Sequence, residues 1–323
     1  MGGHYLFRRL IQAVLTIIAI VALNFFLFRM MPGDPARILL RNPHLTQATI
    51  DAATERWGLN DPLPIQFVKY LAATAQGDLG YSFQYRGQPV SEVIGLRFWP
   101  TIILVGVAEV IAIVLGLALG AYSGWRRGGK VDKVGNGASL ILYSMPYFVI
   151  GMPLIIIFAA ELGWFPTSGM LTPGATYTSF VDQLLDFGRH LVLPLATVSL
   201  GLIGGYSILM RSSIIETRTE DYVTTARAKG LDENRIVRQH AFPNALLPTV
   251  TIVAINLGYV VAGVLTAEII FNWPGLGTLT YQALAVRDFP VLQGVFLILS
   301  VCVVFANLGA DLLYGVLDPR VRT

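Results

Sequence analysis

Long apolar runs alternate with short polar segments along the whole chain. Six of these runs carry at most one charged residue, and they lie at residues 10–28, 98–125, 134–160, 191–210, 245–267 and 289–310. An α-helix rises about 1.5 Å per residue, so about 20 apolar residues cross the hydrocarbon core of a bilayer. The pattern therefore predicts an all-α, polytopic membrane protein with six transmembrane helices.

Two features interrupt this pattern in the middle of the chain. The third run contains Pro146 and Pro153, which lack a backbone N–H donor and are expected to kink its helix. Residues 161–190 are expected to form a loop whose apolar patch, 180–187, lies in the membrane interface.

Residues 32–98 differ from the rest because charged residues of both signs occur throughout them. Turn sequences delimit short helices predicted at 46–57 and 65–75, and a further surface helix is predicted at 278–285. The chain is therefore divided into an N-terminus with the first transmembrane helix (1–31), an insertion (32–98) and a five-helix core (99–323).

Composition supports a membrane protein and excludes several kinds of enzyme. Hydrophobic residues make up 54% of the chain and charged residues 13%, against about a quarter charged in soluble domains. The single cysteine, Cys302, rules out a disulfide framework, and the four histidines are too scattered to suggest a metal site. No phosphate-binding loop, HExxH or GxSxG sequence is present, so we expect neither catalysis, nor a cofactor, nor ATP hydrolysis by this chain.

The distribution of Lys and Arg predicts the orientation in the membrane. The N-terminus, residues 126–133, residues 211–238 and the C-terminal tail together hold 14 of these residues. The loops at 161–190 and 268–290 hold one each, Arg189 and Arg287. Because positive charge concentrates on the cytoplasmic side, both termini are expected to be cytoplasmic and the insertion extracellular.

The longest polar segment in the second half of the chain, residues 211–243, is called the polar loop below. Residues 219–243 of this loop are predicted to contain two short helices. Thr219 or Asp221 can cap the first, Gly230 can end it in a left-handed conformation, Asp232 can cap the second and Pro243 can limit it. A solvated loop or a DNA-binding helix–turn–helix has the same pattern. The flanking membrane spans favour a partner protein lying against the membrane.

Motifs along the whole chain resemble one family of membrane proteins. The polar loop contains Asp221, Tyr222, Thr225, Ala226, Arg227, Ala228, Lys229, Gly230 and, further on, the sequence His-Ala-Phe-Pro at 240–243. Further matches lie at 5–9, 32–35, 77–80, 244–248, 273–277, 287–288 and 317–320. With these motifs the chain resembles the permease subunits of binding-protein-dependent ATP-binding-cassette importers, in the dipeptide, oligopeptide and nickel branch. The Glu-Ala-Ala that usually begins the loop motif is Thr-Thr-Ala here.

The resemblance implies a fold, partners and a mechanism. The fold would be that of a type I importer permease in the bacterial inner membrane. Partners would be a second permease, two cytoplasmic ATPase subunits that bind ATP and Mg²⁺, and an extracellular binding protein that delivers substrate. The insertion would either dock that binding protein or only cover the membrane surface. Closure of the ATPase pair would move the polar loop and switch the pathway from inward-facing to outward-facing.

The resemblance also assigns site residues in the polar loop. Those expected to couple the chain to an ATPase subunit are Asp221, Tyr222, Thr225, Ala226, Arg227, Lys229, Gly230, Leu231 and Asp232. The small side chain of Ala226 would permit close approach of a partner, and Arg227 and Lys229 would meet its acidic or carbonyl groups.

Four polar residues in or beside the predicted spans are candidates for the substrate pathway. Glu109 lies in mid-span, where a charge must face the protein interior or water. It would meet a substrate amine or a gating group, or else tie two helices together. Tyr206 and Asn256 are also candidates, with interhelical hydrogen bonding as the alternative. Glu268 would line an outer gate or lie at the interface among waters.

The function predicted from these observations is import of dipeptides and oligopeptides, driven by ATP hydrolysis on partner chains. Import of nickel or another small solute by the same branch is the alternative within the family. A stand-alone secondary carrier is the alternative from a different class, although a single intramembrane carboxylate and the polar loop argue against it.

Overall fold

The structure is a computed structural model, and it describes residues 3–30, 47–56, 60–85, 87–246, 249–250, 253 and 264–317. Every regular element within these residues is helical, apart from one isolated antiparallel bridge between Tyr81 and Pro89. The predicted all-α class is therefore confirmed.

Twelve helices are numbered here in chain order among the described residues. They are α1 (Gly3–Met30), α2 (Gln47–Arg56), α3 (Leu63–Ala75), α4 (Val90–Trp125), α5 (Lys130–Ser144), α6 (Tyr147–Leu154), α7 (Phe180–Arg218), α8 (Asp221–Ala228), α9 (Glu233–Ile236), α10 (Leu265–Ile270), α11 (Leu276–Val286) and α12 (Phe289–Leu317). Helix α6 continues as a π-helix, Ile155–Glu161, and α9 continues as another, Val237–Ala241.

Four of the described helices are long and apolar enough to cross a membrane. Their spans are Phe7–Arg29, Val90–Trp125, Phe180–Arg218 and Phe289–Gly309. The pair Lys130–Ser144 and Tyr147–Glu161 makes a fifth if it is counted as one broken span. The predicted span at 245–267 lies mostly outside the described residues, so the count of six stays a prediction.

The third predicted span is not a kinked helix but two helices. Helices α5 and α6 meet at an angle of 103°. Met145 between them has an extended conformation, with φ −83° and ψ 128°. A residue before proline is disfavoured in the α region, and Pro146 therefore ends α5 instead of bending it. Pro153 lies inside α6, directly before the change to π-helix.

The other short helices lie where the sequence predicts them, but one predicted loop is shorter than expected. The helices predicted at 46–57, 65–75 and 278–285 are confirmed as α2, α3 and α11. The loop predicted at 161–190 is too long, because α7 begins at Phe180. Ser179 caps this helix by accepting a hydrogen bond from the backbone N–H of Asp182 at 3.2 Å.

The chain forms two compact units, and the first comprises residues 1–101 and 274–308. Its core is a cluster of buried side chains from α4, α11 and α12 with Phe28 of α1. Asp288, fully buried before α12, accepts hydrogen bonds from Ser82 Oγ at 2.5 Å and from the backbone N–H of Gln84 at 2.9 Å. These bonds join the turn after α3 to the start of α12.

The second unit comprises residues 102–273 and 309–323, and close packing of α4 on α7 organises it. Gly116, Gly120 and Gly124 lie four residues apart and therefore face one side of α4. A Cβ atom at Gly116 would lie 2.7 Å from Tyr206 Cβ, and one at Gly120 would lie 2.8 Å from Met210 Cβ. The two backbones approach more closely than any larger residue would permit.

The division of the chain at residues 31 and 98 stays a prediction. The two compact units reflect which residues pack together, and they do not test those boundaries.

We expect Gly120→Ala to destabilise the protein, because its methyl group would overlap Met210 and overpacking costs about 1–3 kcal/mol. Gly106→Ala on the same helix is the control, since a Cβ atom there meets nothing within 4 Å. Thermal unfolding in detergent measures both. Equal melting temperatures for the two variants would contradict the assigned packing.

Candidate functional site

Residues 211–218 of the polar loop form the end of α7, and the rest of the loop folds as two short helices separated by a tight turn. Helix α8 ends at Ala228, and Gly230 follows with φ +76°, a conformation that glycine adopts without strain. Asp232 caps α9, its Oδ2 accepting a hydrogen bond from the backbone N–H of Asn234 at 3.0 Å. The roles predicted for Gly230 and Asp232 in this turn are confirmed.

Two other local predictions for the loop are wrong. The residue before α8 is Glu220, and neither Thr219 nor Asp221 caps the helix: the Thr219 hydroxyl donates to the Glu216 carbonyl at 2.8 Å, and Asp221 is already helical. Pro243 does not limit the second helix either, because the chain stays helical at 242–246. The π-helix directly before Pro243 changes the hydrogen-bond register where the proline lacks a donor.

One side of α8 is buried against the chain itself. Val223 and Ala226 pack with Ile236 of α9, and Trp125 and Leu231 lie against this cluster. Ala226 is only 5% exposed. It therefore contacts the protein's own core, which corrects the expectation that its small side chain lets a partner approach.

The opposite side of α8 is available for contact. Asp221, Thr225 and Lys229 are exposed, and Tyr222 is 38% exposed. Burial raises the pKa of the Tyr222 phenol. The Tyr222 side chain is thus partly enclosed and partly open to a partner.

Trp125, the last residue of α4, connects the polar loop to the transmembrane part of the second unit. Its carbonyl accepts a hydrogen bond from Arg218 Nη1 at 3.0 Å. The guanidinium carbons of Arg218 and Arg227 lie 5.8 Å and 5.3 Å from the centre of its ring, within the range of cation–π attraction. Arg227 also pairs with Glu233, with 2.8 Å between Nε and Oε1.

A buried carboxylate fixes the neighbouring helix ends. Asp132 of α5 accepts two hydrogen bonds from Arg211 of α7, at 2.6 Å from Nε and 3.1 Å from Nη2. It also accepts from Ser123 Oγ at 2.9 Å and from the backbone N–H of Gly128 at 2.8 Å. Two-pronged pairing with a guanidinium is among the strongest charge-assisted contacts. The end of α4, the start of α5 and the C-terminal part of α7 are thereby joined at one point.

The pathway candidates have different positions in the structure. Glu109 of α4 and Tyr206 of α7 are both buried, and the Tyr206 hydroxyl donates a hydrogen bond to Glu109 Oε1. Glu268 of α10 is only 1% exposed, so the interpretation of it as an interfacial residue among waters is wrong. Asn256 lies outside the described residues.

Sequence reasoning missed three features of this region. The glycines of α4 could have been found from their four-residue spacing, a known pattern for close helix approach in membranes. Asp132 was hidden among the basic residues around it, and nothing in the sequence pairs it with Arg211. Trp125 was noted only as the end of a span.

The described residues contain no group of three or more His, Cys, Asp or Glu side chains placed to hold a metal ion.

Comparison with known proteins now identifies the family. A model of the binding-protein-dependent transport system inner membrane component matches residues 112–323, and the model of the N-terminal part of such components matches residues 3–105. The chain belongs to this family. It is therefore a membrane-embedded permease component of a transporter and not an enzyme on its own.

Full-length relatives agree with this assignment. The chain is 39% identical to a Brucella suis biovar 1 protein named as a peptide permease, over 99% of each chain. It is 36% identical to the oligopeptide transport system permease protein AppB of Bacillus subtilis, over 98% of this chain and 99% of that one. It is 34% identical to the glutathione transport system permease protein GsiC of Salmonella choleraesuis, over 99% of each.

A solved structure supports the fold. A chain from inward-facing conformations of the MetNI methionine ABC transporter superimposes with a TM-score of 0.57 at 18% identity. The match covers 70% of this chain and 96% of that chain. The importer permease fold predicted from the sequence is confirmed.

We expect Asp132→Ala to lower the melting temperature strongly, because it leaves the Arg211 guanidinium without the carboxylate that pairs with it. Breaking a buried ion pair in this way costs about 3–5 kcal/mol, with the lower end expected since the Arg211 side chain is 23% exposed. Lys130→Ala, at an exposed position of the same helix, is the control. The double variant Asp132→Ala, Arg211→Met should regain part of the loss. A single Asp132→Ala variant as stable as the control would exclude this role.

Proposed function

We propose that this chain is one permease subunit of an importer of dipeptides and oligopeptides. Its end-to-end similarity to permeases named for peptides, oligopeptides and glutathione is the observation that carries the proposal. Glutathione is itself a short peptide, so these relatives share one class of substrate. With a second permease, the chain forms the pathway along which peptides from an extracellular binding protein cross the inner membrane.

The proposed orientation places both termini and the polar loop in the cytoplasm and the insertion outside. The concentration of Lys and Arg in the N-terminus, residues 126–133 and the polar loop supports it. The insertion then lies on the side from which the binding protein arrives, and it serves as part of the dock for that protein.

Two cytoplasmic ATPase subunits drive the cycle by binding ATP with Mg²⁺, and α8 is the element that one of them contacts. The exposed side of α8 supports this role, because Asp221, Tyr222, Thr225 and Lys229 present charged and polar groups to the solvent. Arg227, Leu231 and Ala226 support the helix from its inner side, and Gly230 and Asp232 shape the turn that follows. The proposed contact with the ATPase subunit therefore involves fewer residues than the set predicted from sequence.

Movement of α8 reaches the membrane through two fixed points. Trp125 holds α8 to the end of α4 through packing and a cation–π contact with Arg227, and a second such contact joins its ring to Arg218 at the end of α7. The Asp132–Arg211 pair holds α4, α5 and α7 together just beyond it. A displacement of α8 by an ATPase subunit therefore moves these three helix ends together.

Purification from native membranes tests the subunit proposal. The wild-type chain is expected to bring ATPase subunits and a second permease, and cells lacking the chain are expected to lose uptake of labelled dipeptides. Lys229→Glu and Asp221→Lys, which reverse exposed charges on α8, should reduce the amount of ATPase recovered. Glu92→Lys, an exposed charge reversal in the insertion, is the control. Recovery of the wild-type chain alone, with transport that needs no ATP, would refute the importer.

We expect Trp125→Ala in the assembled importer to lower peptide uptake more than ATP hydrolysis, because α8 loses its attachment to α4. Trp125→Phe should retain most uptake, since its ring preserves the packing. Trp99→Ala removes a 65% exposed tryptophan from the same helix and serves as the control. Uptake and hydrolysis are measured on the same proteoliposomes. If both fall in parallel, Trp125 only stabilises the fold.

A further inference from the structure

A cavity opens in the second unit at the break between α5 and α6. Its volume is about 260 Å³, and α7 forms its floor. Three tyrosines contribute to its lining, Tyr143 and Tyr147 from either side of the break and Tyr206 from α7. Tyr143 lies at the end of α5 and Tyr147 begins α6, so the two side chains reach the cavity from helices that meet at 103°.

Two glycines of α7 position the aromatic rings. A Cβ atom at Gly201 would lie 2.6 Å from Tyr147 Cε1, and one at Gly205 would lie 3.2 Å from Tyr143 Cδ2. The rings therefore rest directly on bare helix backbone. Larger residues at either position would push a ring away from the floor of the cavity.

A carboxylate lies behind the third tyrosine. Glu109 is 1% exposed, and its Oε1 accepts the hydrogen bond from the Tyr206 hydroxyl. Its Oε2 has no hydrogen-bond partner among the residues that the structure describes. A carboxylate at membrane depth is costly, and a cation close by offsets part of that cost.

Aromatic rings around a cavity and a buried carboxylate behind one of them are the groups that recognise an organic ammonium ion. Aromatic rings attract such cations through their negative faces, and the attraction strengthens when water is excluded. The volume admits the ammonium end of a peptide with a small side chain, whereas pockets that enclose a whole drug-sized ligand measure about 300–1,000 Å³.

We propose that the cavity formed by Tyr143, Tyr147 and Tyr206, with Glu109 behind it, is a subsite for the α-ammonium group of a transported peptide. The proposal rests on the function proposed above and adds which end of the substrate the permease recognises. Recognition of one end leaves the length and the remaining side chains of the peptide unrestricted at this site.

The test measures peptide binding to the assembled importer in nanodiscs, purified with its ATPase subunits and second permease but without binding protein. The probes are radiolabelled Ala-Ala and N-acetyl-Ala-Ala, which differ in the charge at the amino end. The wild type is expected to bind Ala-Ala at least about tenfold more tightly. Tyr147→Leu and Glu109→Gln should each weaken Ala-Ala binding about fivefold, with little effect on the acetylated peptide.

Two variants separate recognition from folding. Tyr147→Phe keeps the aromatic face and should retain most Ala-Ala binding, and Glu109→Gln keeps an acceptor for the Tyr206 hydroxyl while removing the charge. Tyr281→Leu, which removes a 55% exposed tyrosine of α11, is the control. Assembly with the ATPase subunits is monitored for each variant.

Three results would overturn the proposal: no Ala-Ala binding by the wild type, equal binding of the two peptides, or equal weakening of both by Tyr147→Leu and Glu109→Gln. Displacement of Ala-Ala by millimolar K⁺ or Na⁺ would assign the cavity to an inorganic cation instead. Dipeptide uptake by intact cells is a separate readout. If uptake needs this chain while the binding ratio stays unchanged in the variants, only the ammonium subsite fails.

Discussion

The close approach of α4 and α7 is the constraint on which the second unit depends. In a membrane, apolar side chains gain nothing by leaving lipid for one another, so helices associate through tight packing and interhelical hydrogen bonds. Gly116, Gly120 and Gly124 supply the packing by removing side chains from the contact. Once the two backbones touch, Glu109 meets Tyr206, and the end of α4 reaches the region where the polar loop begins. A wider separation would break both contacts.

A cluster of polar contacts lies at the end of the unit that carries the polar loop. Arg211 pairs with Asp132, and Arg218 and Arg227 approach the Trp125 ring, so charged groups join three helices and α8. The break at Pro146 lies at the other end of α5 and is lined by aromatic rings and glycines instead. This arrangement combines a firmly connected end with a joint between helices. One rigid end and one break between helices suit a protein in which a movement at the rigid end changes the shape of a pathway elsewhere.

The chain is similar to two groups of known proteins, which differ in sequence identity and in how much of the chain they match. Relatives at 34–39% identity match nearly the whole chain, including the insertion, and are named as peptide, oligopeptide and glutathione permeases. The methionine transporter chain matches only 70% of this one at 18% identity, although 96% of its own length is covered. The permease fold is therefore shared more widely than the complete chain. The proposals on substrate rest on the first group, and the fold rests on both.

The sequence alone determined the features that depend on local chemistry. Apolar run length located the four long apolar helices that the structure describes. Glycine at position 230 required a left-handed turn, and Asp232 was correctly identified as a helix cap, because each of these two signals acts through the backbone within a few residues. Only the tertiary structure decided which side of α8 is buried, that Glu268 is enclosed, and that Pro146 divides a span in two. The pairing of Asp132 with Arg211 joins residues 79 positions apart. Such contacts depend on which helix faces which, and no local pattern specifies that.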